Sequence, residues 1–276
     1  MCTVLKIARS SYYAWLNRKE SSRKKRREEL KTEIKRVFEL SKKRYGSPRL
    51  TIELNSQGIK ASKPLVCKLM QELGLRSIVK KKFRITTDSQ HKFTIAKNHL
   101  NQEFITSRAN QVWVSDITYL RSKEGWSYLT TVIDLYDRKV IGWALSNTMH
   151  ATQTVIPAFK MAKMNRPINN QQQLIFHSDR GVQYACDAFR SELKKTRNTI
   201  QSMSRKGNCW DNAVAESFFK TLKTELIYHH KYQTRKELEI SVFEYIETWY
   251  NKKRRHSHLM NLTIFEHEQL NIKNAA

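Results

Sequence analysis

Apolar side chains recur at helical spacing through the first quarter of the chain. Val4, Ile7, Ala8, Tyr12, Trp15 and Leu16 follow that spacing over residues 3–18, and Leu30, Ile34, Val37 and Leu40 line one face of a long basic helix over 24–44. Pro48 opens a shorter helix that Gly58 closes, and Ser62 caps another that runs to about Leu73. Two short helices joined by a tight turn form a helix-turn-helix. Over residues 77–110 the periodicity lapses and polar and basic residues dominate, which predicts a basic linker ending near Asn110.

Beyond Asn110 the period shortens to two. Residues 111–120, 126–136 and 138–145 read as strands of an antiparallel meander, rich in Val, Ile, Trp and Tyr and separated by short polar turns, the first around residues 123–125. A helix over 151–164, a strand over 173–179, a helix over 187–197, a strand over 199–204 and a long helix over 212–227 follow. Three strands and then α, β, α, β, α is the order of a ribonuclease-H-like α/β core, a mixed five-stranded sheet flanked by helices. The predicted layout is an all-α helix-turn-helix region over 1–76, the linker over 77–110, the core over 111–230 and a basic helical extension over 231–276.

Charge adds a partner to this picture. The 276 residues carry 51 Lys and Arg against 25 Asp and Glu, a formal net charge of +26, and a field of that sign concentrates polyanions. The first 110 residues hold 27 of the basic and only 9 of the acidic side chains, so the helical region is read as the DNA grip. Lys63 and Lys68, with Gln71 beside them, lie on the second helix of the helix-turn-helix, the one that enters a groove in such units. Six Trp and the strongly patterned second half argue against a charge-neutralising RNA-packaging peptide. Cys2, Cys67, Cys186 and Cys209 are too scattered for a zinc site and suggest idle thiols in a reducing compartment. The sequence offers neither a long apolar run nor a signal peptide, so the protein is expected in the cytoplasm, on the chromosome.

Three acids stand out in the second half. Asp116 interrupts an apolar strand, Asp179 ends the fourth strand, and Glu216 sits in the first turns of the last core helix. A lone acid in a buried strand is costly without a cationic partner, and the C-terminal edge of an open α/β sheet is where ligands bind. If strands one and four are neighbours, the acids form an all-oxygen site suited to Mg²⁺ or Mn²⁺, and two such ions drive in-line displacement at phosphorus. Each acid has a plain alternative as an ion pair, a turn cap or a helix-surface charge; the polar, glycine-containing loops "HSDRGVQY" and "SRKGNCWDNAVAE" beside them favour chemistry. Lys220 and Lys223 follow Glu216 along one helical face, and Arg180, Arg205 and Lys206 lie in the flanking loops, where they are candidates for phosphate contacts.

The segments "VWVSDITYL", "HSDRGVQY", "SMSRKGNCWDNAVAESFFKTLKTE" and "WYNKKRRHSHL" resemble the integrase-core transposases of bacterial insertion-sequence family three. The likeness extends through "YGSPRL" and "MCTVLKIARSSYYAWL" and is narrowest to the product of the second reading frame, OrfB. It implies a DDE recombinase with Asp116, Asp179 and Glu216 as the metal triad, which nicks an element end and uses the freed 3′-hydroxyl to join strands. It also implies DNA at both element ends and target, a homo-oligomer on that DNA, and an upstream OrfA product as fusion or separate partner. Two departures are visible: the Asp179–Glu216 spacing is one residue longer than the family's usual one, and Thr263–Ile264 replace its Ser-Pro pair. A DNA-binding regulator without catalysis and a purely hydrolytic nuclease are the competing readings; the triad argues against the first and the basic N-terminal third against the second.

Overall fold

A computed structural model describes residues 2, 4–17, 21–79, 94–169 and 171–275. The chain divides into two compact units, Met1–Ile78 and Val79–Ala276.

In the first unit, α1 (Arg9–Leu16) is shorter than its apolar pattern predicts and buries none of its residues. α2 (Ser22–Leu40) starts at Ser21, whose side chain accepts a hydrogen bond from the Lys24 amide at 3.2 Å. Its inward stripe is Leu30, Ile34, Val37 and Phe38 and continues to Ser41; Leu40, placed on that stripe from the sequence, is 64% exposed because the buried row steps from Val37 by four residues rather than three. α3 (Ser47–Ser56) and α4 (Lys63–Glu72) form the helix-turn-helix, with Pro in the first turn of each. Gly58 (φ +81°) makes the turn between them. Ser62 stands at the start of α4 but its side chain makes no cap bond, so the proline, not the hydroxyl, marks that start. Leu50, Leu54, Val66 and Leu69 are fully buried where α2, α3 and α4 meet.

The second unit is built on a five-stranded sheet of order β3-β2-β1-β4-β5. β1 (Val112–Ser122), β2 (Gly125–Asp134) and β3 (Val140–Ser146) make the expected antiparallel meander, and β4 (Leu174–Ser178) and β5 (Thr199–Met203) add parallel strands to the β1 edge. Between β3 and β4 runs α5 (Val155–Asn165), which presses Val155, Ala158, Phe159 and Ala162 onto the sheet. Gly142 on β3 is required here: a Cβ would lie 2.2 Å from the Ala158 carbonyl oxygen. A four-residue turn of helix, α6 (Val182–Ala185), precedes α7 (Asp187–Lys194); its Tyr184 joins Phe159, Phe176, Phe189 and Trp113 in the core. α8 (Ala213–Glu225) follows a single 3-10 turn over Cys209–Asn212.

The segment over 94–110, read as linker, is fastened to the core where it is described. The amides of His99 and Leu100 donate to Ser202 Oγ on β5, Leu100 is buried, and Asn98 and Gln102 donate to Asp211. Its polar residues are partners of buried acceptors, which periodicity cannot reveal. The beginning "VKKKFRITTDSQHKF" lies mostly outside the described residues.

The C-terminal extension is part of the same unit. α9 (Arg235–Phe243) runs into a π-helical turn, Glu244–Tyr250, and α10 (Ile264–Ala275) closes the chain. Buried Glu225 at the end of α8 accepts from Arg254, Tyr245 and Trp249, which tie the extension to that helix. No described helix is long and apolar enough to cross a membrane.

Candidate active site

The three acids arrive on separate elements. β1 and β4 are parallel neighbours with Ser115 opposite Ser178, so continuing the register by one residue sets Asp116 beside Asp179, just past the end of β4. Asp116 shares a sheet face with Val112, Val114 and His177, and α8 packs on β1. The buried side chain of Asn212, immediately before α8, donates to the carbonyl oxygen of Ser115 at 3.1 Å and fixes the start of that helix one residue from Asp116. Glu216 is exposed on the first turn of α8.

Electrostatics joins the three. Burial pushes the Asp116 carboxyl well above the usual carboxylate range, the charge of Asp179 adds to that, and Glu216 raises it further. Burial and then Asp179 likewise raise Glu216. Like charges gathered in a half-buried place hold protons unless a cation offsets them. Each aspartate is steadied by the backbone: Asp116 Oδ1 accepts from the Ile117 amide at 2.8 Å, and Asp179 Oδ1 from the Gly181 amide at 2.9 Å. As the side chains stand, no three His, Cys, Asp or Glu among the described residues are close enough to share one ion. The donor set nevertheless fits a hard cation, being all carboxylate oxygen. Buried Asn212 Oδ1 and Thr131 Oγ1, the latter on the residue paired with Asp116, meet no hydrogen-bond partner among the described residues.

The cations predicted around the site divide. Lys223 is half-buried and burial lowers its pKa, opposed by the charge of Asp116, so this side chain faces the acids. Lys220 and Lys206 are exposed. Arg205 is engaged: its backbone and guanidinium nitrogens donate to fully buried Asp211 at 2.7–3.0 Å, and that contact holds Asp211 far below the usual carboxylate range. Arg180 Nε donates to the Ser204 carbonyl oxygen at 2.5 Å, bracing the loop after β4. In the first unit Lys63, Lys68 and Gln71 are exposed on α4, Lys68 and Gln71 on the side away from buried Val66, Leu69 and Met70 and Lys63 at the helix start. A cleft of about 580 Å³ at the start of α4 is lined by Arg23, Arg26, Arg27, Asn55 and Lys60.

Sequence reasoning missed the scaffold behind the acids. Tyr184 donates to or accepts from Ser115 Oγ at 2.7 Å inside the core. His177, buried between Ser202 Oγ and Ser204 Oγ, has its pKa pushed down to about 4 by that burial. Both belong to "HSDRGVQY", whose unusual density of polar residues was the available signal.

A mixed sheet of this order, with acids at the C-terminal edge of adjacent parallel strands and on the crossing helix, defines the ribonuclease-H-like integrase cores, a class of polynucleotidyl transferases. Family profiles agree: two segments match an integrase core domain, residues 106–209 and 216–272, and residues 25–83 match an HTH-like domain. The transposase InsF for insertion sequence IS3A of Escherichia coli K12 is 41% identical over 274 residues, covering 99% of this chain and 94% of InsF. A 31 kDa protein of insertion element IS600 from Shigella sonnei is 41% identical over 263 residues, 95% of each chain. Among solved structures, a simian T-cell lymphotropic virus intasome is similar with a TM-score of 0.47 at 14% identity, over 84% of this chain and 73% of that one. The chain belongs to the IS3 family of insertion-sequence transposases and is a DDE-type polynucleotidyl transferase that acts on DNA.

Proposed function

We propose that Asp116, Asp179 and Glu216 are the triad of this transposase, and that with divalent metal bound they cut DNA and join the freed 3′ ends to a target. The reading is carried by one juxtaposition: the parallel register of β1 and β4 sets Asp116 beside Asp179, and Asn212 ties the start of α8, which carries Glu216, to the residue before Asp116. A pair of Mg²⁺ or Mn²⁺ ions would supply the activated hydroxyl and the stabilised leaving oxygen of an in-line displacement. The chain's own part is to position. Asp116 and Asp179 are held by backbone amides on the rigid sheet edge, while exposed Glu216 closes on them from α8. Lys220 and Lys206 hold phosphates beside the acids, and Lys63 and Lys68 on α4 grip the duplex elsewhere. Arg205 and Arg180 shape the surrounding loops through Asp211 and Ser204. Second copies of the chain and an upstream OrfA product complete the assembly on DNA, in the cytoplasm.

Purified chain with Mg²⁺ or Mn²⁺ is expected to nick or join DNA bearing the element's ends. Asp116→Asn, Asp179→Asn and Glu216→Gln should each abolish this and leave binding intact. Full activity in any one of the three removes that residue from the triad, and a wild-type chain that binds such ends without cutting them in either metal would be a regulator.

A further inference from the structure

We propose that Tyr119, Trp126 and Tyr128, with Arg121 over the indole, form a stacking platform for unpaired bases of a DNA strand. β1 pairs with β4 only as far as Ser115, so its last residues pair with β2 alone and carry a projecting hairpin. On one face of that hairpin Tyr119 lies directly across from Tyr128, and Arg121 across from Trp126. The rings of Tyr119 and Tyr128 meet edge to face at 5.2 Å, those of Tyr119 and Trp126 at 6.3 Å, and the Arg121 guanidinium sits 5.3 Å from the indole centre. The hydrophobic core on this face reaches Ile117, one step back along β1, and the aromatic rings take over beyond it. Tyr119 is 42% and Trp126 48% exposed.

Large rings left half in water on a sheet face are costly unless something covers them. The hairpin is also held still. The Lys123 amide donates to the Tyr232 carbonyl oxygen at 3.0 Å, and Arg235 donates from its amide to the Glu124 carboxylate and from its guanidinium to the Glu124 carbonyl oxygen. Gly125, at φ +116°, turns the chain there. A rigid, preformed surface loses little on binding.

Charge selects the occupant. Rings topped by a guanidinium suit a partner that is anionic along its length and flat at each unit, which is a single-stranded nucleic acid. A second copy of this chain would bring its own net charge of +26 and its own arginine to the same place. Tyr119 stands three residues along β1 from Asp116 and therefore on the other face of that strand, so the platform is a surface separate from the acids. The platform needs no particular set of catalytic acids, and it stands apart from the triad reading above.

The experiment uses the full chain carrying Asp116→Asn, so that no cleavage intervenes, and two duplexes, one blunt and one with three unpaired 3′ nucleotides containing 2-aminopurine. We expect tighter binding of the extended duplex by about tenfold, with quenching of the 2-aminopurine. Tyr119→Ala with Trp126→Ala should erase the preference and the quenching without weakening the blunt duplex, and Tyr119→Phe with Trp126→Phe should restore both. Absence of quenching in the parent chain overturns the proposal without needing any further variant. So does a preference that survives the double alanine change, or an alanine variant whose defect is a lost dimer. Strand cleavage that persists in the Asp116→Asn chain, with stacking intact, counts against the triad and not against the platform.

Discussion

At the scale of single residues, Asp116 illustrates a conflict between stability and chemistry. Its folded pKa is raised by burial and by Asp179, so across the window from the ordinary aspartate value upward the metal-free folded chain holds a proton that the unfolded chain has released. Stability of the metal-free protein therefore falls as pH rises through that window. Asp116→Asn should raise the metal-free melting temperature at neutral pH by a few degrees, the size of ~1 kcal/mol in a chain of this length. The gain should shrink as pH is lowered and vanish well below about 4, the ordinary aspartate value, where the wild-type carboxyl is neutral in both states. Mg²⁺ should stabilise the wild type and leave the variant unmoved; calorimetry with and without metal checks all three outcomes. Asp116 was legible because a lone acid among Val, Ile, Trp and Tyr breaks a pattern. Asp211 was not, because its partners Arg205, Asn98 and Gln102 come from ordinary polar stretches and only the fold brings them together.

At the scale of elements, the strands and core helices follow from periodicity because the sheet is covered on both faces and each segment reports its own burial. Periodicity says nothing of how the tail after α8 is attached. That depends on Arg254, one basic residue in a run of four, reaching buried Glu225 at 3.0 Å with Tyr245 and Trp249 on the same carboxylate. Arg254→Ala strands a buried charge and should cost about 3–5 kcal/mol. Arg254→Met combined with Glu225→Leu should recover most of the loss. Urea unfolding followed by tryptophan fluorescence measures both, and a single variant as stable as wild type would show that the pair does not hold the extension. The one-residue lengthening between Asp179 and Glu216 left the register intact: β5 still pairs fully with β4 and Asn212 still reaches Ser115.

At the scale of the whole molecule, the net charge of +26 sets how the protein responds to salt. With 6–10 phosphate contacts, DNA affinity should drop by roughly 10³–10⁵ between 50 and 200 mM salt. Lys63→Ala, Lys68→Ala and Lys220→Ala should each lower the slope by about one and weaken all sequences alike. Lys223→Ala should act differently, since that side chain faces Asp116; its slope should hardly change while catalysis drops. Binding titrations over a range of salt separate the two kinds of lysine. There is also a mechanical consequence of the strap over 94–110. Its Asn98 and Gln102 grip Asp211, which sits five residues before Glu216, and its His99 and Leu100 grip β5. The turn that launches α8 is thus moored from more than a hundred residues upstream, and loosening the strap would slacken the helix that carries Glu216.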